Sequence, residues 1–148
     1  MCLETKQVKT EIAKKNIVCY KILSKHVGEK DMEYYSPIYY HFWFANKPNK
    51  DIHFASSPYW VKGEDKREIF NLDKQETRYE VCSGYFHTYK NKEDAMRTVS
   101  TSWGEYKYVV VRCIIPEGTR YYEGDFGDCE SYASQYLKIT KIVAPLSL

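Results

Sequence analysis

The sequence predicts an α+β fold, mainly antiparallel, with one or two short helices packed on strongly twisted sheet. Fifteen Tyr, six Phe and three Trp occur among 148 residues, and aromatic side chains favour strands that have one solvated face. Strand-like runs outnumber helix-like runs, and the two do not alternate regularly as they do in a doubly wound sheet. A chain of this length can bury one ordinary core, so we expect a single domain.

The N-terminal part predicts an arm followed by two strands. Residues 1–15 are polar, so we assign them to an N-terminal arm and residues 16–148 to the single globular domain. The run 16–23 (N-I-V-C-Y-K-I-L) is β-branched and aromatic, which is typical of a strand. A loop is expected at 24–37, where Gly, Pro and charged residues collect, and a second strand at 38–44 (I-Y-Y-H-F-W-F).

The middle of the chain predicts short strands around a charged segment. Short strands are expected at 51–55 and 59–62. Residues 63–76 are highly charged and contain one apolar pair, which leaves a short helix and an exposed excursion as open alternatives. Residues 77–82 alternate polar and apolar side chains, as a half-buried strand does, and extended structure is expected again at 85–89.

The C-terminal half contains the clearest helix and the strongest strand. Asn91 can cap a helix that has Glu93 and Asp94 in its first turn and ends near Ser100. The run 106–115 (Y-K-Y-V-V-V-R-C-I-I) predicts a strand that is covered on both faces. The remaining segments are two strands at 119–122 and 136–143, with an acidic Gly-rich loop at 123–128 between them.

Charge and composition exclude several function classes. The net charge is +2, which leaves nucleic-acid binding unsupported, since proteins of that class usually carry a strong basic excess. No run approaches the roughly 20 apolar residues of a membrane span. The five cysteines lack metal-ligand spacing, so we expect no metal site. The N-terminus has no apolar leader, and we therefore expect reduced thiols and a cytoplasmic protein.

Dense aromatic clusters predict the contact surface of a binding protein. Aromatic side chains often dominate the energetics of protein–protein contacts, and each strand directs about half of its side chains away from a given core. We expect a protein partner and no cofactor for this function. The candidate anchors are Tyr34, Tyr35, Tyr39, Trp43, Tyr121 and Tyr122.

The order of segments in the C-terminal half indicates an alternative function. The segment 84–89 (G-Y-F-H-T-Y) precedes the short helix, the long strand ends in I-P-E-G-T at 115–119, and Asp128-Cys129-Glu130 precedes the last strand. This order resembles the ADP-ribosyltransferase superfamily, in which a late loop presents a catalytic glutamate.

The resemblance implies specific roles and a nicotinamide dinucleotide, NAD, as cofactor. Glu130 takes the position of the catalytic glutamate, which orients the nicotinamide ribose and stabilises positive charge as the glycosidic bond breaks. His87 falls in the middle motif, and Tyr20 stands where the superfamily has a His or Arg. From the residues alone, a solvated acidic loop around Glu130 remains the other interpretation.

The chain as a whole also resembles small proteins of bacteriophages and other mobile elements, which are short, rich in Lys and Tyr, and built of one domain. That resemblance implies a non-enzymatic protein that binds a host or phage macromolecule, as an inhibitor or an accessory factor. This is the principal hypothesis. The alternative is an ADP-ribosyltransferase-like enzyme, or a catalytically decayed relative that still binds the dinucleotide.

Overall fold

Antiparallel β-sheet dominates the structure. The computed structural model describes residues 3–37, 41–55, 65–81 and 84–145. Strands account for 57% of the described residues and helical segments for 9%. The thirteen strands in this part of the chain form one sheet. The α+β prediction is therefore wrong. Segments expected to be loops or an arm also pair as strands, so the chain is nearly all-β.

The strands follow one another along the chain, and in the described residues only one helical segment interrupts them. That segment is α1 (Lys92–Thr98), continued by a π-helical turn (Val99–Trp103). The strands are β1 (Leu3–Thr5), β2 (Glu11–Ile12), β3 (Ile17–Val27), β4 (Met32–Tyr35), β5 (Phe42–Ala45), β6 (Ile52–Phe54), β7 (Lys66–Asn71), β8 (Glu76–Val81), β9 (Phe86–Tyr89), β10 (Tyr108–Ile115), β11 (Arg120–Phe126), β12 (Cys129–Ser134) and β13 (Tyr136–Ala144).

The sheet curls and branches at β3. Six strands are joined in the order β6–β13–β10–β3–β4–β5. The far edge of β3 has two partners, because Tyr20 pairs with Tyr89 of β9 while the end of β3 pairs with β4. The ends of the six-stranded part, β5 and β6, meet through two histidines: His41 Nε2 lies 2.9 Å from His53 Nδ1. We call this contact the seam.

Two cores lie on opposite faces of the sheet. On β3, Cys19 and Leu23 belong to the first core and Ile22 to the second, because successive side chains of a strand point to opposite faces. We call the side that holds the first core the inner face and the other side the outer face. Helix α1 packs on the outer face, where Ala95 and Val99 are buried in the second core.

The N-terminal segment belongs to the sheet and is not a separate arm. Strand β1 lies between β11 and β8, and Leu3 and Thr5 are fully buried. The hydroxyl of Thr5 donates a hydrogen bond to the carbonyl of Glu123 at 2.6 Å. The polar composition conceals this strand because Glu4, which alternates with the two buried residues, forms an ion pair with Arg78 at 3.2 Å.

Three other segments differ from the sequence prediction. Residues 24–37 contain the end of β3 and all of β4, and the described part of 63–76 contains β7. The acidic loop expected at 123–128 is the end of β11 and the turn into β12. Charged and Gly residues suit these strands because one side of each is solvated. The predictions at 38–40 and 59–62 lie outside the described residues.

Candidate functional site

The structure does not bring the three residues of the enzyme hypothesis together. Tyr20 packs against the second core on the outer face, and the His87 ring contacts Phe126 of that core. Glu130 has the strand parity of Tyr132, which belongs to the first core, so it points to the other side of the sheet. Its side chain is 59% exposed and forms an ion pair with Lys90 at 3.3 Å.

The environment of His87 does not suit a general base. Burial, together with the nearby positive charge of Lys21, lowers the pKa of His87 to about 3. Its Nδ1 atom is buried and has no hydrogen-bond partner among the described residues. A histidine in such a site stays neutral at physiological pH and is a poor proton acceptor.

Three of the predicted anchors fill the cores. Tyr34 and Trp43 are buried in the first core, and Tyr122 is buried in the second. The polar tips of Trp43 and Tyr122 are satisfied internally: Trp43 Nε1 donates to Ser36 Oγ at 2.7 Å, and the Tyr122 hydroxyl donates to Asp65 at 2.7 Å. These aromatic side chains stabilise the fold and are not available to a partner.

The other predicted anchors are partly accessible. Tyr35 lies on the outer face of β4, in an edge-to-face ladder between His26 and Phe42. Tyr121 is half-buried on β11 and faces Tyr132. Tyr39 lies outside the described residues. The aromatic clusters in the sequence therefore mark the cores more than they mark a surface.

A different set of side chains, three aliphatic and one lysine, forms a row across the outer face. Ile52 on β6 is paired with Lys138 on β13, Lys138 with Ile114 on β10, and Ile114 with Val18 on β3. Directly paired residues of antiparallel strands lie on the same face. At about 4.8 Å per strand spacing, the row is about 14 Å long. We call these residues, with Phe54 and Tyr136, the outer patch.

Most apolar members of the outer patch are accessible to solvent. Ile52 is 55% exposed, Phe54 49%, and Val18 and Tyr136 39% each. The rings of Phe54 and Tyr136, which are paired across β6 and β13, lie 5.0 Å apart. An exposed apolar area that spans four strands is larger than the scattered single residues normal on a protein surface.

The outer patch is accompanied by positive charge. Strands β3, β10 and β13 contain no Asp or Glu. Arg112, next to Ile114 on the same face, lies opposite Lys141 in the register of β10 and β13. Lys138 lies within the row. Among the described residues, none of these three cations forms an ion pair.

An apolar groove lies farther along the same ladder. Its volume is about 290 Å³, and its walls come from α1, the π-helical turn and the ends of β10 and β13. Val110, in the groove, is four residues from Ile114, which places the groove about 13 Å from the outer patch. Ser100 donates a hydrogen bond to Glu105 at 2.8 Å on the polar wall of the groove.

Alternation along the strands was the sequence signal for this surface. Ile114 alternates with the buried residues Cys113 and Ile115, and Lys138 with Leu137 and Ile139. The sequence does not show which face the helix covers. It therefore cannot separate an exposed outer position from one in the second core.

Comparisons with known proteins found no relative of this chain. No family model, no curated protein and no solved structure matches it. In the described ranges, no helix has the length and hydrophobicity of a membrane span. No group of three or more His, Cys, Asp or Glu residues is placed to hold a metal in that part of the chain either.

Proposed function

We propose that this protein is a non-enzymatic binding protein and that its outer patch is the contact surface for a protein partner. The observation that supports the proposal is the exposed apolar surface across four strands, together with the cations within and beside it that form no ion pair in the described residues. A small protein that acts through one such contact suits the role of an inhibitor or accessory factor of a bacteriophage or another mobile element.

The apolar part of the patch supplies the driving force. Burial of apolar surface stabilises a complex by about 25 cal/mol per Å². Ile52, Val18 and Tyr136 retain substantial exposed surface for such burial. They project from paired strands of a rigid sheet, so little conformational entropy is lost when a partner covers them.

The charged part of the patch specifies the partner. Arg112, Lys138 and Lys141 form no ion pair with a carboxylate in the described residues. The two strands that carry them, β10 and β13, and the neighbouring β3 contain no Asp or Glu. A partner that places Asp or Glu beside aliphatic or aromatic residues complements both features. Such complementarity accelerates association and makes it sensitive to salt.

Selection of peptides from a random displayed library tests this proposal. We expect the selected peptides to combine aliphatic or aromatic residues with Asp or Glu. Truncation of two patch residues, in Ile52→Ser/Tyr136→Ser, should weaken their binding at least tenfold. The matched control is Phe70→Ser/Leu72→Ser, because those residues of the β7 region are 57% and 73% exposed and lie at the other end of the sheet.

Several results would contradict the proposal. One is a library that yields no binder, and another is a set of binders rich in Lys and Arg. Equal loss of affinity in the patch variant and the control variant would also exclude the outer patch as the contact surface. Thermal unfolding of both variants shows whether they keep the fold.

A further inference from the structure

A buried positive charge lies on the inner face of β3. Lys21 is 8% exposed, and its ammonium donates a hydrogen bond to the carbonyl of His87 at 3.0 Å. No ion pair joins it to a carboxylate among the described residues. Burial lowers the pKa of Lys21 to about 8, which still leaves the ammonium largely charged at neutral pH. An unpaired buried charge is costly and marks a group that a partner ion can stabilise.

Two hydroxyl groups without partners lie beside this ammonium. Thr88 and Ser134 are fully buried, and their oxygens form no hydrogen bond within the described part of the chain. The pairing of Tyr20 with Tyr89 makes Thr88 the neighbour of Lys21 on the inner face. Ser134 is paired with Phe86, which precedes Thr88 by two residues on β9 and lies on the same face. The carbonyl that accepts the hydrogen bond from Lys21 belongs to His87, which lies between Phe86 and Thr88 on β9.

The walls around these groups are aromatic. Phe86 and Tyr132 lie on the same inner face as Lys21, and the rings of Trp43 and His41 contact Phe86 at 4.7 and 5.2 Å. The other titratable groups that face this region are the thiols of Cys19 and Cys113, the imidazoles of His41 and His53, and the phenols of Tyr34 and Tyr132.

We propose that Lys21, Thr88 and Ser134 form a binding site for a small organic carboxylate. A single ammonium neutralises one negative charge, which favours a monoanion over a phosphate dianion. The two hydroxyls donate hydrogen bonds to the carboxylate oxygens, and the aromatic walls receive the organic part. Ordered water could satisfy the hydroxyls, but it would leave the charge of Lys21 unneutralised.

The seam provides the path to this site. His41 takes part in the seam and also contacts Phe86, so the junction of β5 and β6 lies next to the walls of the proposed site. In the described residues these two strands meet through side chains, with the His53 ring against those of His41 and Trp43, and not through a backbone ladder. Separation of the His53 ring from those of His41 and Trp43 would open the inner face without breaking a strand pair.

Thermal unfolding with sodium acetate, propionate and benzoate tests the proposal, with sodium chloride keeping ionic strength constant. We expect a saturable rise in melting temperature for the wild-type protein. The rise should disappear in Lys21→Met and require at least fivefold more ligand in Thr88→Val. The matched control is Lys25→Met, because Lys25 lies on the same strand but on a more accessible part of it. The control should respond like the wild type.

A second measurement needs no substitution. Because the bound carboxylate requires the charged ammonium, its affinity should fall about tenfold per pH unit above the pKa of Lys21. Affinity that does not change between pH 7.5 and 9.5 would overturn the proposal. So would stabilisation that survives in Lys21→Met, the absence of stabilisation by all three carboxylates, or equal stabilisation by inorganic phosphate.

Discussion

At the scale of the residue, Lys21 lies in an environment that its type rarely occupies. Lysines are rarely buried without a counter-ion, yet this one is buried on the inner face, where its ammonium donates to a carbonyl and interacts with the thiols of Cys19 and Cys113. Burial stabilises the neutral amine relative to the ammonium, so the folded state binds this proton less tightly than the unfolded chain does. The charged form of Lys21 therefore destabilises the fold.

Replacement of Lys21 by Met should stabilise the protein at neutral pH, and the gain should shrink as pH rises. Its pKa is about 8 in the folded state and 10.5 in the unfolded chain. The penalty is therefore fully present below pH 8 and vanishes above pH 10.5, a difference of about 3 kcal/mol at most. Denaturant unfolding of Lys21→Met and wild type at pH 7 and pH 10 measures it. A constant difference between the two proteins would contradict this account.

Residue types alone identify the sheet but not the direction of each side chain. Trp43 and Phe42 are adjacent aromatic residues in one predicted strand, yet the first is buried and the second is half exposed. Alternation assigns them to opposite faces, but only the position of α1 and the curl of the sheet decide which face is solvated. For this reason the sequence did not show that the predicted anchors Tyr34, Trp43 and Tyr122 are buried.

At the scale of the element, β1 depends on a close approach to β11. A Cβ atom added to Gly124 would overlap the carbonyl oxygen of Glu4. Next to this contact, the Thr5 hydroxyl donates to Glu123, and the Glu123 amide donates to Gln7 at 2.6 Å. Glycine is therefore required at this position by the approach of a neighbouring strand.

Gly124→Ala should destabilise the protein by about 2–3 kcal/mol, because backbone atoms on both strands must move. The control is Gly127→Ala, where an added Cβ meets no atom within 4 Å. That control costs about 1 kcal/mol, since its φ of +56° disfavours alanine. Denaturant unfolding compares the two variants. Equal losses of stability would show that β1 does not pack closely on β11.

Elements with strong internal patterns could be predicted, and elements that depend on distant partners could not. The strands at 106–115 and 136–143 and the helix after Asn91 are present, with ends shifted by two residues or fewer. Strand β1 is three residues long and polar between its buried positions, so it is stabilised only by β8 and β11. Short paired segments of this kind carry no periodicity of their own.

At the scale of the whole molecule, the position of α1 leaves one half of the outer face open. The helix covers the half of β3 and β10 that contains Ile22 and Val110. The row from Val18 to Ile52 lies beyond its reach, on the half where the cations also lie. A protein with two cores on opposite faces of one sheet thus retains an accessible apolar surface on β3, β10, β13 and β6.

Methyl cross-saturation by nuclear magnetic resonance tests directly whether the outer patch contacts a partner. A protonated acidic peptide from the library selection would be irradiated while it is bound to deuterated protein with protonated methyl groups. We expect signal loss at the methyl groups of Val18, Ile52 and Ile114, with Ile69 and Leu72 of the β7 region unaffected. Signal loss confined to the β7 region, or to the groove without the outer patch, would contradict this expectation.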